Sequence, residues 1–284
     1  MVGLPLLSGL LCLTTGTKVA VTGGTGRLGR LGVQKLVERG YSVRVLLRHE
    51  LSPAVAASSA NGAEPAAVAA WLAGMPGVEF VKGDITDRAS LVELLEGCSA
   101  CLALHGARRT RKLSDLWRDP SNEPTHSKQV NYQGVANLID AARARGCKRI
   151  VRITGKGETP FSLPSILING LGSMAKAWNY EGETLLRAAK EEVEYTIIRP
   201  GVMGQTDAVE PASLALADDG QDLKVSAIPH AAVADLCIGE SNCEARPYPQ
   251  MPRSPRRPRR PASPAGPADP PRPTPPPHPP HPPH

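Results

Sequence analysis

"KVAVTGGTGRLGRLGVQKLVERGYSVRVLLR", residues 18–48, contains a complete strand–helix–strand unit. "KVAVTG" (18–23) is a continuous apolar run of strand length, as a strand buried on both faces of a parallel sheet requires. In "RLGRLGVQKLVERG" (27–40), Leu28, Leu31, Val33, Leu36 and Val37 recur near helical spacing, and Gly40 marks the stop. "YSVRVLLR" (41–48) reads as the second strand, which completes a βαβ unit of about 30 residues. Between the first strand and the helix, "TGGTGRLG" (22–29) sets Gly23, Gly26 and Gly29 three apart. At that junction the first glycine permits a tight turn, the second admits a pyrophosphate to the backbone, and the third lets the helix close on the strand. Thr25, Arg27 and Leu28 complete the loop, and the free N–H groups at the helix start favour an anion.

The alternation continues along the chain. The pattern predicts helix over 54–73, strand over 78–84, helix over 88–97 and strand over 100–106. After a polar loop to about 125 it predicts a long helix over 126–146, strand over 148–155, helix over 175–191 and strand over 194–201. "LKVSAI" (223–228) and "HAAVADLCIG" (230–239) add a late strand and helix. Strands and helices alternating this often predict a doubly wound α/β domain, a Rossmann-type parallel sheet covered on both faces, over residues 18–242.

Composition bounds the rest. The net charge of +6 is uneven, because residues 244–284 hold seven arginines against Glu244 and Asp269, leaving the remainder near neutral. Nucleic-acid binding by the whole protein is therefore not implied; it would come only through the basic tail, "RSPRRPRRP" (253–261). Residues 241–284 carry 18 of the 29 prolines, so 243–284 is expected to be a disordered or polyproline II tail. Residues 1–17 are apolar but lack a basic start and are too short to span a bilayer, so they read as a lead-in or leader remnant. No segment reads as integral to a membrane. The six cysteines follow no disulfide framework. Cys98 and Cys101 form a CxxC, but they lie at the start of a predicted strand and read as small buried residues. A reducing compartment is expected, and no metal site.

The residue closing the second strand bears on which dinucleotide is held. An acid there bonds the ribose hydroxyls of NAD; an arginine accommodates the 2′-phosphate of NADP. Here Leu47 is followed by Arg48, with Arg27 in the glycine loop, so NADP(H) is preferred and NAD remains possible. Glu50 is the competing acid. The alternative for Arg48 is a solvated strand-end charge.

With these residues in place, the chain resembles the short-chain dehydrogenase/reductase superfamily, specifically its atypical NmrA-like branch. "VTGGTGRLGR", "VRVLLR", "VKGDITD", "VNYQGVANLIDAARARGCKRIVRIT", "EGETLLR" and "YTIIRPGVM" carry the resemblance, over residues 18 to about 204. It implies that Asp84 and Ile85 sit by the adenine, and that Leu104 to Gly106 line the cofactor. Asn131 would lie on the helix behind the active site, and "RPG" (199–201, with Pro200) would border the nicotinamide and substrate pocket. More narrowly, "TGKGETPFS", "INGLGSMAKAWNYEGETLLR" and "YTIIRPGVM" are similar to the reductase-like domain of photosynthetic eukaryotes often joined to a complex I intermediate-associated-type domain. That resemblance points to the chloroplast; with the cysteine usage, a soluble protein of a reducing compartment, the chloroplast or the cytoplasm, is expected.

Reductases of the superfamily use Tyr-x-x-x-Lys on one helical face, the lysine lowering the tyrosine pKa as the tyrosine protonates a carbonyl. No tyrosine here is followed four later by lysine. Lys176 and Tyr180 share a face in reversed order, and Thr154 is the hydroxyl nearest the usual serine position. These three are the catalytic candidates, with Lys156 a further cation. Three functions follow: an NADPH-dependent oxidoreductase acting on an unknown small molecule; a non-catalytic NADP-binding scaffold or redox sensor in assembly of an organellar photosynthetic or respiratory complex; and an RNA-associated factor.

Overall fold

The computed structural model describes residues 17–48, 65–107, 123–155, 169, 174–204 and 227–241. The lead-in, the proline-rich tail, Glu50 and Lys156 lie outside the described residues, as do 54–64 of the helix expected over 54–73 and 223–226 of the late strand.

The first unit forms as its residues dictate: β1 (Lys18–Thr22), α1 (Arg27–Glu38) and β2 (Ser42–Leu47). Then come α2 (Pro65–Ala73), β3 (Val78–Lys82), α3 (Arg88–Leu94) and β4 (Cys98–Ala103). The helix expected over 126–146 is divided, with a π-helical stretch, Lys128–Gln133, running into α4 (Gly134–Arg145). The chain continues through β5 (Arg149–Ile153), α5 (Ala175–Ala188) and β6 (Glu194–Ile198), then β7 (Val202–Gly204), β8 (Ala227–Pro229) and α6 (His230–Ser241).

Six strands make one parallel sheet in the order β3-β2-β1-β4-β5-β6, while β7 and β8 pair separately. The strands alternate faces, as period-2 geometry demands. Val19, Val21, Val43 and Val45 join Leu36 of α1 and Val233 of α6 on one side. Ala20, Cys101 and Ile150 join Leu94 of α3, Leu138 of α4 and Leu186 of α5 on the other. Both faces are therefore covered, which is why the strands are mostly apolar, with Arg44 in β2 and Arg152 in β5 as buried exceptions.

Two consequences of the topology position the site. All six strands run the same way, so the segments following them emerge at one edge. The order also reverses direction at β1, since β2 lies to one side and β4 to the other, and such a switch point opens a crevice at the carboxyl ends.

Cys98 and Cys101 are buried on β4, and their thiols have been pushed up by desolvation, Cys98 to about 11. Both pack within the core, in keeping with their reading as small buried residues of the strand.

Candidate coenzyme-binding site

The turn from β1 into α1 is built around glycines, two of which leave no room for a Cβ. Gly23 has φ +73°, and a Cβ there would stand 2.7 Å from the His105 backbone nitrogen. A Cβ on Gly29 would stand 2.0 Å from the Gly23 carbonyl oxygen. Gly26 is looser, with that same oxygen 3.2 Å away, and its N–H donates to it at 3.0 Å.

Gly26 is also the N-cap of α1 and brings no side chain to cap it. The first intrahelical bond is Arg30 N–H to Gly26 O at 3.0 Å, so the N–H groups of Arg27, Leu28 and Gly29 precede the hydrogen-bond ladder. In α3 the Asp87 carboxylate takes Ala89 N–H and Ser90 N–H. Within one chain, α3 thus satisfies its own N-terminus with a side chain, whereas α1 does not.

The floor beneath Gly23 is the segment after β4. Thr22 Oγ1 and His105 Nδ1 share a hydrogen bond of 2.7 Å. Arg152, fully buried on β5, donates to Ala103 O at 3.2 Å and His105 O at 2.7 Å, and to Asn179 Oδ1 of α5 at 3.3 Å. Asn131, buried in the π-helical stretch, accepts from Ala107 N–H at 3.1 Å. Residues 104–107 are thus held from three elements. Burial, with the Arg152 charge beside it, keeps the His105 imidazole well below its ordinary pKa and so neutral.

A second polar cluster stands where β5 and β6 end. Glu183 of α5 has no exposed surface. Its Oε1 accepts from Thr154 Oγ1 at 2.7 Å and Arg199 Nε at 2.9 Å; its Oε2 accepts from Arg187 at 2.9 Å and from Arg199 Nη2. Burial alone raises this carboxyl, but the Arg199 and Thr154 hydrogen bonds and the Arg199 charge outweigh it, so the group lies below its ordinary range.

Each residue singled out in the sequence can now be placed. Gly23 to Gly29, Arg48, Asp84, Leu104 to Gly106, Thr154 and Pro200 all follow the carboxyl ends of parallel strands and so share one edge. Arg27 and Arg48 are exposed. Leu28 is buried in the core, so only its backbone faces the turn. Leu104 likewise packs its side chain toward Gly32 of α1, while its backbone abuts Gly23. Asp84 Oδ1 takes the Thr86 N–H and hydroxyl, and Ile85 is buried against Gly134. Gly106 is exposed and Pro200 buried. Lys176 and Tyr180 lie half-buried in the first half of α5, on the turns preceding Glu183. The start of α5 is capped from a distance by Asn169 Oδ1, which accepts from Lys176 N–H and Ala177 N–H.

Sequence reasoning passed over Arg152, Asn169 and Glu183, and reached His105 only within the stretch Leu104 to Gly106. A signal existed for two of them. Arg152 is a charge inside the strand "RIVRI", and Glu183 sits on the face of α5 that carries Lys176 and Tyr180.

Comparison with known proteins gives a consistent result. The profile of a family described as NAD(P)H-binding matches residues 23–242. The uncharacterized chloroplastic protein At2g37660 of Arabidopsis thaliana is 29% identical over 233 residues, covering 78% of this chain and 64% of that one. The chloroplastic protein TIC 62 of Pisum sativum is 25% identical over 191 residues, covering 67% of this chain but only 34% of its own. The chain therefore spans less than two thirds of either relative. Sanguinarine reductase of Eschscholzia californica is 27% identical over 209 residues, with 64% and 68% covered. A short-chain dehydrogenase/reductase of Veillonella parvula, solved in complex with NADP, shares the fold with a TM-score of 0.53 at 11% identity, covering 78% of this chain and 85% of that one.

Proposed function

This chain belongs to the NAD(P)H-binding family, and from that premise we propose that it is an NADPH-dependent oxidoreductase of the atypical short-chain dehydrogenase/reductase type. The observation that carries the reading is the uncapped start of α1 above a turn too tight for any Cβ at Gly23 or Gly29. That cradle fits a dinucleotide pyrophosphate, held by the N–H groups of Arg27, Leu28 and Gly29. When bound, the nicotinamide supplies or accepts a hydride.

The chain's own residues do the holding. Arg48, exposed at the end of β2, with Arg27 beside the turn, takes a 2′-phosphate. Asp84 and the backbone at Ile85 border the adenine at the neighbouring strand end. The backbone from Leu104 to Gly106 runs under the pyrophosphate, fixed by Arg152 and Asn131. Pro200 closes the nicotinamide end. Lys176 and Tyr180 are the groups for orienting the ribose and moving a proton to the substrate.

A second reading has its own support. The Tyr–Lys order is reversed and the Thr154 proton is committed to Glu183, features that suit a protein retaining NADPH as a scaffold or sensor. The chloroplastic names of two relatives favour a plastid setting for either reading, and an organellar complex as partner for the second.

Titrating the full chain with NADPH and NADH tests the first reading. NADPH is expected to bind about tenfold more tightly, and Arg48→Ala to erase most of that ratio, since one charge-assisted hydrogen bond is worth about 1.5–3 kcal/mol. Failure of both coenzymes to bind at millimolar concentration would overturn it. Hydride consumption with a carbonyl, quinone or flavin then separates the enzyme from the scaffold, for which binding occurs without turnover.

A further inference from the structure

We propose that Thr154 acts toward a bound molecule only as a hydrogen-bond acceptor, so the β5–β6 end of the site selects compounds that present an N–H or O–H group. The inference rests on the reading that this edge borders the substrate, and deepens it by naming the substrate class.

A threonine hydroxyl has a single hydrogen to donate and two lone pairs with which to accept. Thr154 Oγ1 lies 2.7 Å from Glu183 Oε1. A carboxylate has no hydrogen to give, so in this pair the threonine must donate. The carboxylate is held ionised by geometry: Arg199 grips both its oxygens and Arg187 takes Oε2, inside a site with no exposure at Glu183. Protonating Glu183 would set an acid against two guanidinium groups, and its pKa is lowered accordingly.

The backbone removes the remaining freedom. Thr154 N–H donates to Ile198 O at 3.1 Å, so the residue is tied to β6 as well as to α5. Thr154 is nevertheless part-exposed, unlike Glu183 behind it. With its hydrogen given to Glu183, all that the hydroxyl has left for a bound molecule is its oxygen lone pairs.

A substrate carbonyl would place lone pair against lone pair. An indole, amide, lactam or phenol would place its hydrogen there, and a site built to receive such a hydrogen discriminates strongly against analogues lacking it.

Matched probes test the assignment on the full chain, with and without NADP+. Indole and N-methylindole differ in one N–H; acetophenone offers only an acceptor. Ligand-observed NMR titration should show the indole to N-methylindole affinity ratio falling about tenfold in Thr154→Val and surviving in Thr154→Ser. Acetophenone binding should be unchanged or improved in Thr154→Val. An unchanged indole ratio in Thr154→Val, or a selective loss of acetophenone, would overturn the proposal. Since the probes are also titrated without coenzyme, failure of NADP+ to bind would count against the coenzyme reading alone.

Discussion

At Gly29 a methyl group would stand 2.0 Å from the Gly23 oxygen; at Gly26 the same atom would be 3.2 Å away. The first contact is with backbone and has no room to yield, whereas the second needs a shift of a few tenths of an ångström. Gly29→Ala is therefore expected to weaken NADPH binding by at least about tenfold, and Gly26→Ala by only a few-fold, because only the former displaces the α1 N–H groups from the turn. Comparing both variants in one calorimetric series checks this; equal losses would show that the turn acts through flexibility rather than space. The glycine spacing was legible in the sequence because a turn of this kind admits few residues. The pairing of His105 with Thr22 and the reach of Arg152 were not, since a lone histidine or an arginine in a strand acquires meaning only from what folds against it.

At the level of elements, α3 is tied to the sheet by a buried charge. Arg44, buried within β2, donates to Glu93 O at 2.7 Å and Glu96 O at 3.1 Å near the end of α3, and to Glu79 of β3 at 3.0 Å. A cation is favoured at a helix C-terminus, where carbonyls lack intrahelical partners. Arg44→Ala should cost about 2–3 kcal/mol in urea denaturation, since charge-assisted bonds of roughly 1.5–3 kcal/mol are lost and solvent weakens the exposed Glu79 partner. A loss under about 0.5 kcal/mol would contradict this account. Among the described residues the element types of the six-stranded sheet and its helices followed from periodicity, but β7 (Val202–Gly204) and the π-helical stretch at Lys128–Gln133 did not. There Val130 and Asn131 are both buried, Asn131 holds Ala107, and a Cβ on Gly182 of α5 would stand 2.2 Å from Asn131 O. Such close packing between elements is invisible to a 3.6-residue repeat.

For the whole molecule, Glu183 links the ends of β5 and β6 to α5 through Thr154 and Arg199, and is held within α5 by Arg187. Its folded pKa lies below its unfolded one, so the folded state binds the proton less readily. The stability it contributes is present in full above the unfolded carboxylate pKa of about 4.3 and is lost as pH falls below that. Acid unfolding should steepen there, by up to about 1.4 kcal/mol per pH unit for one proton. Glu183→Gln is expected to be less stable near pH 7 yet to show a shallower acid slope in guanidinium titrations from pH 7 to 3. Asp87, held low mainly by the Ser90 hydroxyl, contributes in the same direction in both proteins. Identical slopes would show that Glu183 carries no such linkage.

By itself the order of residues determined the βαβ unit, the parallel sheet and the glycine-rich turn. Each is governed by local spacing: continuous apolar runs, a 3.6-residue repeat and glycines three apart. Only the tertiary structure decided which way protons and charges point around that turn. Arg152, Asn131 and Thr154 are separated by tens of residues from some of the groups they hold, and the direction of a hydrogen bond is set by both partners.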